Sequence, residues 1–427
     1  MADGTPLTLE TLPAIADVPQ SDWDACACPA GGERIPFLAH AFLSALERSE
    51  SVCREEGWLP LHLVVRREDD NAVVGCAPLY LKGHSMGEYV FDQGWAQAFE
   101  RAGGAYYPKL QCAVPFTPVT GARLLVRGGL DGADREAVTT TLARGLIACT
   151  AQYGVSGCHV TFCRDDELAV MREWGYLPRI GTQYHWENRK RGTDRKYTSF
   201  KEFEMDLKQS RRKNVRQERK RPAKEGLRVF RASGDDIKPD QIARFYDFYV
   251  AQTEKKWGRD YLKKAFFDEI YESMRDDILF VFAEQEGTGR LVAGAINFIG
   301  SDALFGRNWG CISPDGVAGD ASLERLLGAM SGGREGPDFK HLHFECCYYQ
   351  AIEAAIERGL SRVEAGAQGE HKISRGYLPV ETYSAHYIAN ASFKVAIDEF
   401  LQRERLEMRE AMEFLELEGS PFKPVVL

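Results

Sequence analysis

Two stretches, LHLVVRREDDNAVVGCAPLYLKGHSMGEYVFDQGW (61–95) and ILFVFAEQEGTGRLVAGAINFIGSDALFGRNW (278–309), read as one plan written twice. In the first, Leu61–Arg67 is rich in β-branched and apolar residues, and a charged turn, Glu68–Asn71, follows it. Ala72–Leu81 reads as a second strand carrying Gly75, and Glu88–Trp95 as a third. In the second, Ile278–Glu284, the turn Glu286–Gly289, Leu291–Ile299 with Gly294, and Ala303–Trp309 repeat the order. Each copy has a valine two residues before its glycine (Val73-Val74-Gly75, Val292-Ala293-Gly294) and a tryptophan closing its third strand.

The parallel continues downstream. Arg135–Tyr153 is expected to be helical and to stop at Gly154 before a strand over Val155–Phe162. Phe344–Arg358 has Phe344, Tyr348, Ile352 and Ala355 on one face and stops at Gly359 before a strand over Arg362–Ala365. Both glycines suit a left-handed C-cap. Offsets between matching points drift from 219 for the glycines in the strands to 214 for the tryptophans and 205 for the caps. A diverged duplication accounts for this, with chance likeness of two hairpins as the alternative. The expected fold class is α/β with mixed sheets, in two similar halves: 1–188 and 232–427, joined by 189–231.

Composition narrows the classes. At roughly 100–200 residues per domain, 427 residues make two or three domains. Apolar runs such as Ile278–Ala283 are far shorter than the roughly 18–20 residues that cross a bilayer. The first ten residues lack the basic-then-apolar shape of a secretory signal. Eleven cysteines without paired CxxC spacing read as reduced thiols, which implies a cytoplasmic protein. The joining segment is the chain's charge anomaly. Between Arg189 and Arg231 stand 17 Lys and Arg against 6 Asp and Glu, so a chain of net charge −9 carries −20 outside it.

That segment opens on a capping box, Ser199 with Glu202 three residues on. The helix expected after it sets Lys208, Arg212, Arg216 and Lys220 at i+4 steps, with Arg211, Lys213 and Arg219 beside them, until Pro222 breaks it. Three readings are open: a solvated face, a phosphate or RNA contact, and a membrane-surface helix. Its few apolar residues argue against the last. A phosphate-rich partner fits the charge density, because each neutralised phosphate releases counterions.

Three further clusters can carry chemistry. The run GAQGEHKISRG (366–376) follows a strand directly and packs Gln368, Glu370, His371, Lys372, Ser374 and Arg375 among glycines. Adjacent Glu and His can act as acid and base near neutral pH; the plain alternative is a solvated loop. His386 lies close enough in sequence to join it. The second is His341-Leu342-His343-Phe344-Glu345, whose alternation along a strand would set three polar groups on one side. No complete ligand set at recognised spacing is present, so no metal is assigned, and a polar patch lining a cleft is the preferred reading. The third combines Glu88, Asp92 and Trp95 with Tyr106, Tyr107, Pro108, Lys109 and the prolines of Pro115–Pro118, a substrate groove or simply core and turn. The stretch Ser313–Phe339 is rich in Gly, Asp and Ser and is expected to be an exposed loop.

The strings APLYLKGHSMGEYVFDQGWA (77–96), YYPKLQCAVPFTPVTGARLL (106–125), SRRKNVRQERK (210–220), HFECCYYQAIEAAIERGL (343–360) and AGAQGEHKISRGYLPVETYSAH (365–386) resemble the FemAB-like N-acyltransferases of the GNAT superfamily, often labelled peptidoglycan-biosynthesis proteins. The similarity covers roughly Phe37 to Arg405. It implies tandem GNAT-like α/β domains and transfer of an acyl or aminoacyl group to an amine of a small molecule or peptide. Two departures stand out. Residues 313–339 look inserted, and the Q/R-x-x-G-x-G/A phosphate loop of acetyl-CoA users is missing; Arg325–Met330 approaches it but ends in Met. That loop aims backbone N–H groups at a pyrophosphate, so its loss counts against acetyl-CoA. The resemblance then favours aminoacyl-tRNA over acyl-CoA as co-substrate, with no tightly bound cofactor. The alternatives are an acetyl-CoA-dependent N-acetyltransferase and, of a different class, a non-catalytic binder of RNA or of a cell-wall precursor.

Roles follow from the expected reaction, attack of an amine on an activated carbonyl. His371, Glu370 and His343 are candidate bases, with Glu345 beside them at a helix start, and Arg375, Lys372 or a bulge amide are candidate oxyanion donors. Asp92, Trp95, Tyr107, Lys109, Gln368, Lys372 and His386 are candidate substrate contacts. Lys208, Arg211, Arg212, Arg216, Arg219 and Lys220 are candidate contacts to a donor's phosphates or RNA.

Overall fold

The computed structural model describes residues 6–257, 260–312 and 340–424; the expected loop 313–339, with Arg325–Met330, lies outside them. The strands in chain order are β1 (Leu7–Leu12), β2 (Trp58–Pro60), β3 (His62–Arg67), β4 (Val73–Ala77), β5 (Leu79–Lys82), β6 (Lys109–Cys112), β7 (Leu125–Val126) and β8 (Gly157–Cys163). They continue with β9 (Leu177–Glu187), β10 (Leu227–Ser233), β11 (Ile278–Gln285), β12 (Arg290–Ile299), β13 (Ala303–Cys311), β14 (Arg362–Glu364) and β15 (Leu378–Ile388). With the helices between them this is a mixed α/β architecture. The chain divides into two compact units, Met1–Thr182 with Glu381–Glu413, and Gln183–Val380 with Phe414–Leu427. Set beside the expected boundaries, the segment 189–231 lies within the second unit, and 381–413 returns to the first.

In the first unit β1-β3-β4-β7 form an antiparallel sheet, and β2-β5-β6-β8-β15 lie side by side in that order. In the second the order is β10-β11-β12-β13-β14-β9. The plan recurs in the pairing. β5–β6 and β12–β13 are antiparallel, whereas β6–β8 and β13–β14 are parallel. A helix leads into each parallel strand, Gly132–Gln152 before β8 and Gln350–Glu357 before β14. A parallel neighbour needs such a crossover. Gly154 and Gly359 end the two helical stretches at φ +61° and +65°, as the sequence pattern predicts.

Two expectations about the repeat are corrected. Ala72–Leu81 is two strands, broken at Pro78, which has no N–H to give a ladder. Glu88–Trp95 is not a strand: Asp92 stands at the N-cap of the helix Gln93–Arg101. The strand after β5 is therefore β6, and Trp95 sits on a helix whereas Trp309 sits in β13. The two strand glycines do serve alike. A Cβ at Gly75 would lie 2.6 Å from Val138 Cγ1, and one at Gly294 would lie 2.9 Å from Phe245, so each makes room for a crossing helix.

The basic segment folds differently from the single helix expected. Phe200–Asp206 is one helix; Leu207 is extended, and Gln209–Lys224 is another. Lys208 is therefore an N-cap rather than a member of the i+4 row, and Pro222 sits inside the last turn instead of ending the helix. Leu207 is fully buried and bridges to Phe422, which explains the break. The capping box is half formed. Ser199 Oγ accepts from the Glu202 amide at 3.2 Å, but the Glu202 carboxylate turns to the Thr198 amide.

The first unit's core gathers Leu63, Val65, Leu110, Leu142, Leu146 and Val160. The second's gathers Trp186, Phe203, Leu304, Tyr349, Ile352 and Val363. All eleven cysteines are unbonded thiols. Among the described residues no helix is long and apolar enough to cross a membrane.

Candidate functional site

In the second unit the residues around His343 are held by an irregular helix. Lys340–Phe344 is α-helical, Glu345–Tyr349 forms a π turn, and Gln350–Glu357 is α-helical again. The strand expected for His341–Glu345 is thus a helix, and the alternation no longer puts three polar groups on one side. A π turn admits one extra residue per turn and is frequent at functional sites. Here it aims three polar side chains at the turn Glu370–Arg375, a short 3-10 helix, and at the basic helix Gln209–Lys224.

Tyr348 comes first: its hydroxyl lies 3.0 Å from His371 Nε2. The His371 ring is exposed, 5.4 Å from Phe344 and 6.3 Å from His343, centroid to centroid. His343 in turn packs edge-on to Trp309 and Tyr348, each at 5.3 Å. Gly369 makes this possible. It has φ +95°, and a Cβ there would fall 2.3 Å from the His371 ring.

Tyr349 comes second: its hydroxyl donates to Glu218 on the basic helix. Arg375 forms a bidentate pair with the same carboxylate, Nη2 to Oε1 at 2.6 Å and Nε to Oε2 at 3.1 Å. Its Nη1 donates to the His371 carbonyl at 2.7 Å, and the guanidinium stacks 3.4 Å over Phe344. Arg375 therefore orients the turn that carries His371.

Glu345 is third. It is buried and pairs with Arg219 at 3.2 and 3.3 Å, while Gln350 donates to it at 2.7 Å. Burial raises its carboxyl, and Arg219 opposes that rise. Arg219 also reaches Glu353 at 2.7 Å. Of the candidate bases and their helpers, then, His371, His343, Glu345 and Arg375 converge, and Glu370 and Gln368 lie exposed on the turn. Lys372 is buried and gives its ammonium protons to the Ala365 and Gly366 carbonyls, so it pins the loop.

The basic helix is committed to the protein itself in part, through Arg216, Arg219 and Arg221. Arg219 is bound as above, Arg216 pairs with Glu204 at 3.0 Å, and Arg212 lies 3.1 Å from the Met205 sulfur. Lys208 donates to the Ser420 carbonyl. Arg211, Lys213 and Lys220 have no carboxylate partner among the described residues.

The remaining candidates assemble in the first unit, and His386 with them rather than with the turn 366–376. Lys109, wholly buried, donates to Glu88 at 2.6 Å and to Asp92 at 2.5 Å. Tyr106 donates to Asp92 at 2.7 Å, His159 Nε2 lies 3.3 Å from the Tyr106 oxygen, and His159 Nδ1 lies 2.8 Å from His386 Nδ1. Donor requirements set the protons. Burial alone would raise Asp92, but Lys109 holds it below the usual carboxylate range, so it only accepts. Tyr106 must then donate to it and accept from His159 Nε2–H. His159 Nδ1 consequently accepts from His386 Nδ1–H, which leaves His386 Nε2 as a buried lone pair without a partner among the described residues. Burial pushes both imidazoles down, His159 to about 3, and keeps them neutral. Glu88 is pushed up to about 7 by burial, against the pull of Lys109.

Trp95 packs edge-on to His386 at 4.9 Å and carries Arg179 on its face at 4.9 Å. Tyr107 bonds Ser85 at 2.8 Å. Asp92, Lys109 and His386 are each 2% exposed or less, so the core reading of this cluster describes them and an open groove does not. Sequence reading missed Tyr348, Tyr349 and Glu218 in the second unit, because a π turn leaves no periodic signal and Glu218 stands inside a run of cations. It missed His159, a lone histidine in an apolar strand.

Comparison with known proteins adds the following. No curated protein matches the chain in sequence. Among solved structures it is similar to FemX, 11% identical over 89% of this chain and 98% of that one, with a TM-score of 0.49. It is similar to a tandem GNAT protein from the clavulanic acid biosynthesis pathway, 13% identical over 90% and 99%, at 0.44. It is similar also to L-PGS from Bacillus licheniformis, 10% identical over 87% and 97%, at 0.44. A family profile described as FemAB-like, peptidoglycan biosynthesis and recognition, matches residues 14–315 and 322–424, leaving out only 316–321 between them. With that profile running along nearly the whole mixed α/β chain, the protein belongs to the FemAB-like family and is an acyltransferase.

Proposed function

We propose that the chain moves an acyl or aminoacyl group from an activated ester or thioester to an amine of a peptide or small molecule, with His371 as the base that takes the amine proton. The observation that carries this is the exposed His371 imidazole held at 3.0 Å by Tyr348 on a π turn, with Arg375 fixing the turn from behind. The amine attacks the carbonyl carbon, its proton passes to His371 Nδ1 while Nε2–H donates to the Tyr348 oxygen, and the donor's oxygen or sulfur leaves with the bonding pair. A base placed in this way contributes roughly 10²–10⁴-fold to the rate.

The donor reading shifts toward a thioester. Strand β13 pairs with β14 only over Ala303–Phe305, so Gly306–Cys311 have no strand on that side among the described residues. An open strand edge suits an extended, amide-bearing arm such as that of acyl-CoA. Aminoacyl-tRNA is the second reading, favoured by Arg211, Lys213 and Lys220, which carry no carboxylate among the described residues. The family's peptidoglycan description supports a peptide or cell-wall precursor as acceptor.

The test supplies protein stripped of bound RNA and repurified free of nuclease with acyl-CoA or with charged tRNA, and an amine-bearing muropeptide. Transfer from the thioester by RNA-free protein supports the first donor, and transfer only from charged tRNA supports the second. His371→Ala should lose at least about a hundredfold in kcat while retaining its fold. Full turnover by that variant would remove His371 from the mechanism.

A further inference from the structure

Arg375 and Tyr349 line one wall of a small open cleft in the second unit whose remaining walls are Arg211, Asn214, Val215, Glu218 and Ser374, enclosing about 100 Å³. The side chains of Arg211, Asn214 and Ser374 make no hydrogen bond or ion pair with any described residue. Arg211 and Asn214 stand three residues apart on the helix Gln209–Lys224, which is the spacing that puts two side chains on one face. Ser374 stands beside Arg375 in the turn Glu370–Arg375. Three unengaged donors from two elements thus face one space.

The charges around it decide what it takes. Among the described residues Glu218 is the sole carboxylate on the wall, and it already accepts from Tyr349 and twice from Arg375. Its charge is balanced by Arg375, which has further N–H groups beyond the three engaged. Arg211 supplies a cation with no counter-ion among the described residues. A guanidinium, an amide and a hydroxyl around a space of this size match the oxygens of one tetrahedral oxyanion, and arginine is the side chain best shaped for phosphate.

We propose that this cleft binds a phosphate group, of a phosphate ester or diphosphate carried by one of the reactants, with Arg211, Asn214 and Ser374 as its donors and Glu218 orienting Arg375 behind them. The proposal deepens the acyl-transfer reading and rests on it only for the identity of the phosphate's bearer. Because Arg375 also holds the His371 carbonyl, a phosphate seated here is linked by one side chain to the turn that bears the base.

The test titrates inorganic phosphate, and separately pyrophosphate, into the full chain. It follows the Arg211 Nε–H and Asn214 side-chain amide resonances by ¹⁵N-edited NMR. Saturable shifts of both are expected, with Arg211→Gln weakening binding by about tenfold or more, which is 1.4 kcal/mol. Ser374→Ala should weaken it less. Lys224→Gln removes an exposed charge from the same helix and should leave affinity unchanged. Tighter binding of pyrophosphate than of phosphate points to a diphosphate bearer, and the reverse to a monoester. Absent shifts, or equal losses for Arg211→Gln and Lys224→Gln, overturn the site. Neither result depends on turnover, so the cleft can fail while acyl transfer stands, and the reverse.

Discussion

His371 and its glycine illustrate how one residue type decides a geometry. Gly369 is needed because its φ of +95° is open to glycine and because a Cβ would displace the imidazole. Gly369→Ala should therefore lower kcat nearly as far as His371→Ala. It should cost about 1–3 kcal/mol in stability, read from urea midpoints. The buried relay gives a second residue-scale expectation. Histidine ¹⁵N shifts at neutral pH should show His386 protonated on Nδ1 and His159 on Nε2, the tautomers that the Tyr106–Asp92 bond requires. Either histidine in the opposite tautomer would break that chain.

Glu88 makes this cluster pH-sensitive in a defined direction. Its folded carboxyl titrates at about 7 against an ordinary 4.5, so the protonated form is the one folding favours. Its contribution is fully present below about 4.5 and is lost as pH rises to about 7. Such a displacement is worth about 3 kcal/mol at most. The buried imidazoles act oppositely, since His159 titrates at about 3 and its contribution is lost as pH falls below about 6.5. The stability of the wild type relative to Glu88→Gln should accordingly fall between pH 4.5 and 7 and stay level above. A flat difference would mean that the Glu88 carboxyl titrates alike in the folded and unfolded chain.

At the scale of elements, helix-on-sheet contact explains several glycines. A Cβ at Gly310 in β13 would lie 2.1 Å from the Phe248 carbonyl oxygen, where backbone cannot yield. Gly310→Ala should cost about 3 kcal/mol. In Gly306→Ala the nearest atom is the Glu364 oxygen at 3.4 Å, an ordinary contact, and the cost should be clearly smaller. Equal midpoints in denaturant for the two variants would contradict this. The π turn explains a different cost. Arg219 is the buried Glu345's cation, so Arg219→Ala should destabilise by about 3 kcal/mol. Little of that loss would be expected from a purely solvated charge.

For the molecule as a whole the charge distribution changes meaning. The surplus of 11 positive charges between Arg189 and Arg231 reads as a reserve for a polyphosphate. In the folded chain Arg195, Arg216, Arg219, Arg228 and Arg231, among others, are bound to carboxylates. Any tRNA binding through this helix should then show a shallow salt dependence. Its slope should not exceed about 5, set by Lys208, Arg211, Arg212, Lys213, Lys220 and Lys224, which carry no carboxylate among the described residues. A slope near about 10 in filter binding would require a different surface.

The chain's own pattern was enough for the class of fold and for the repeat. Hydrophobic runs, turn chemistry and C-cap glycines act over a few residues, so β3, β11, β12 and the helices before β8 and β14 are legible directly. It was enough, too, for the composition of the turn 366–376. What it could not determine was which polar groups meet. Pro78 diverts one strand into two, and the pairing of Glu218 with Arg375 spans 157 residues. The bond between His159 and His386 spans 227. Such contacts depend on strand order and on an irregular helical turn, and neither has a local signal. Tertiary structure alone therefore decided that His386 belongs to a buried relay, that Arg216, Arg219 and Arg221 of the basic helix pair within their own unit, and that His371, rather than Glu370, is held against the π turn.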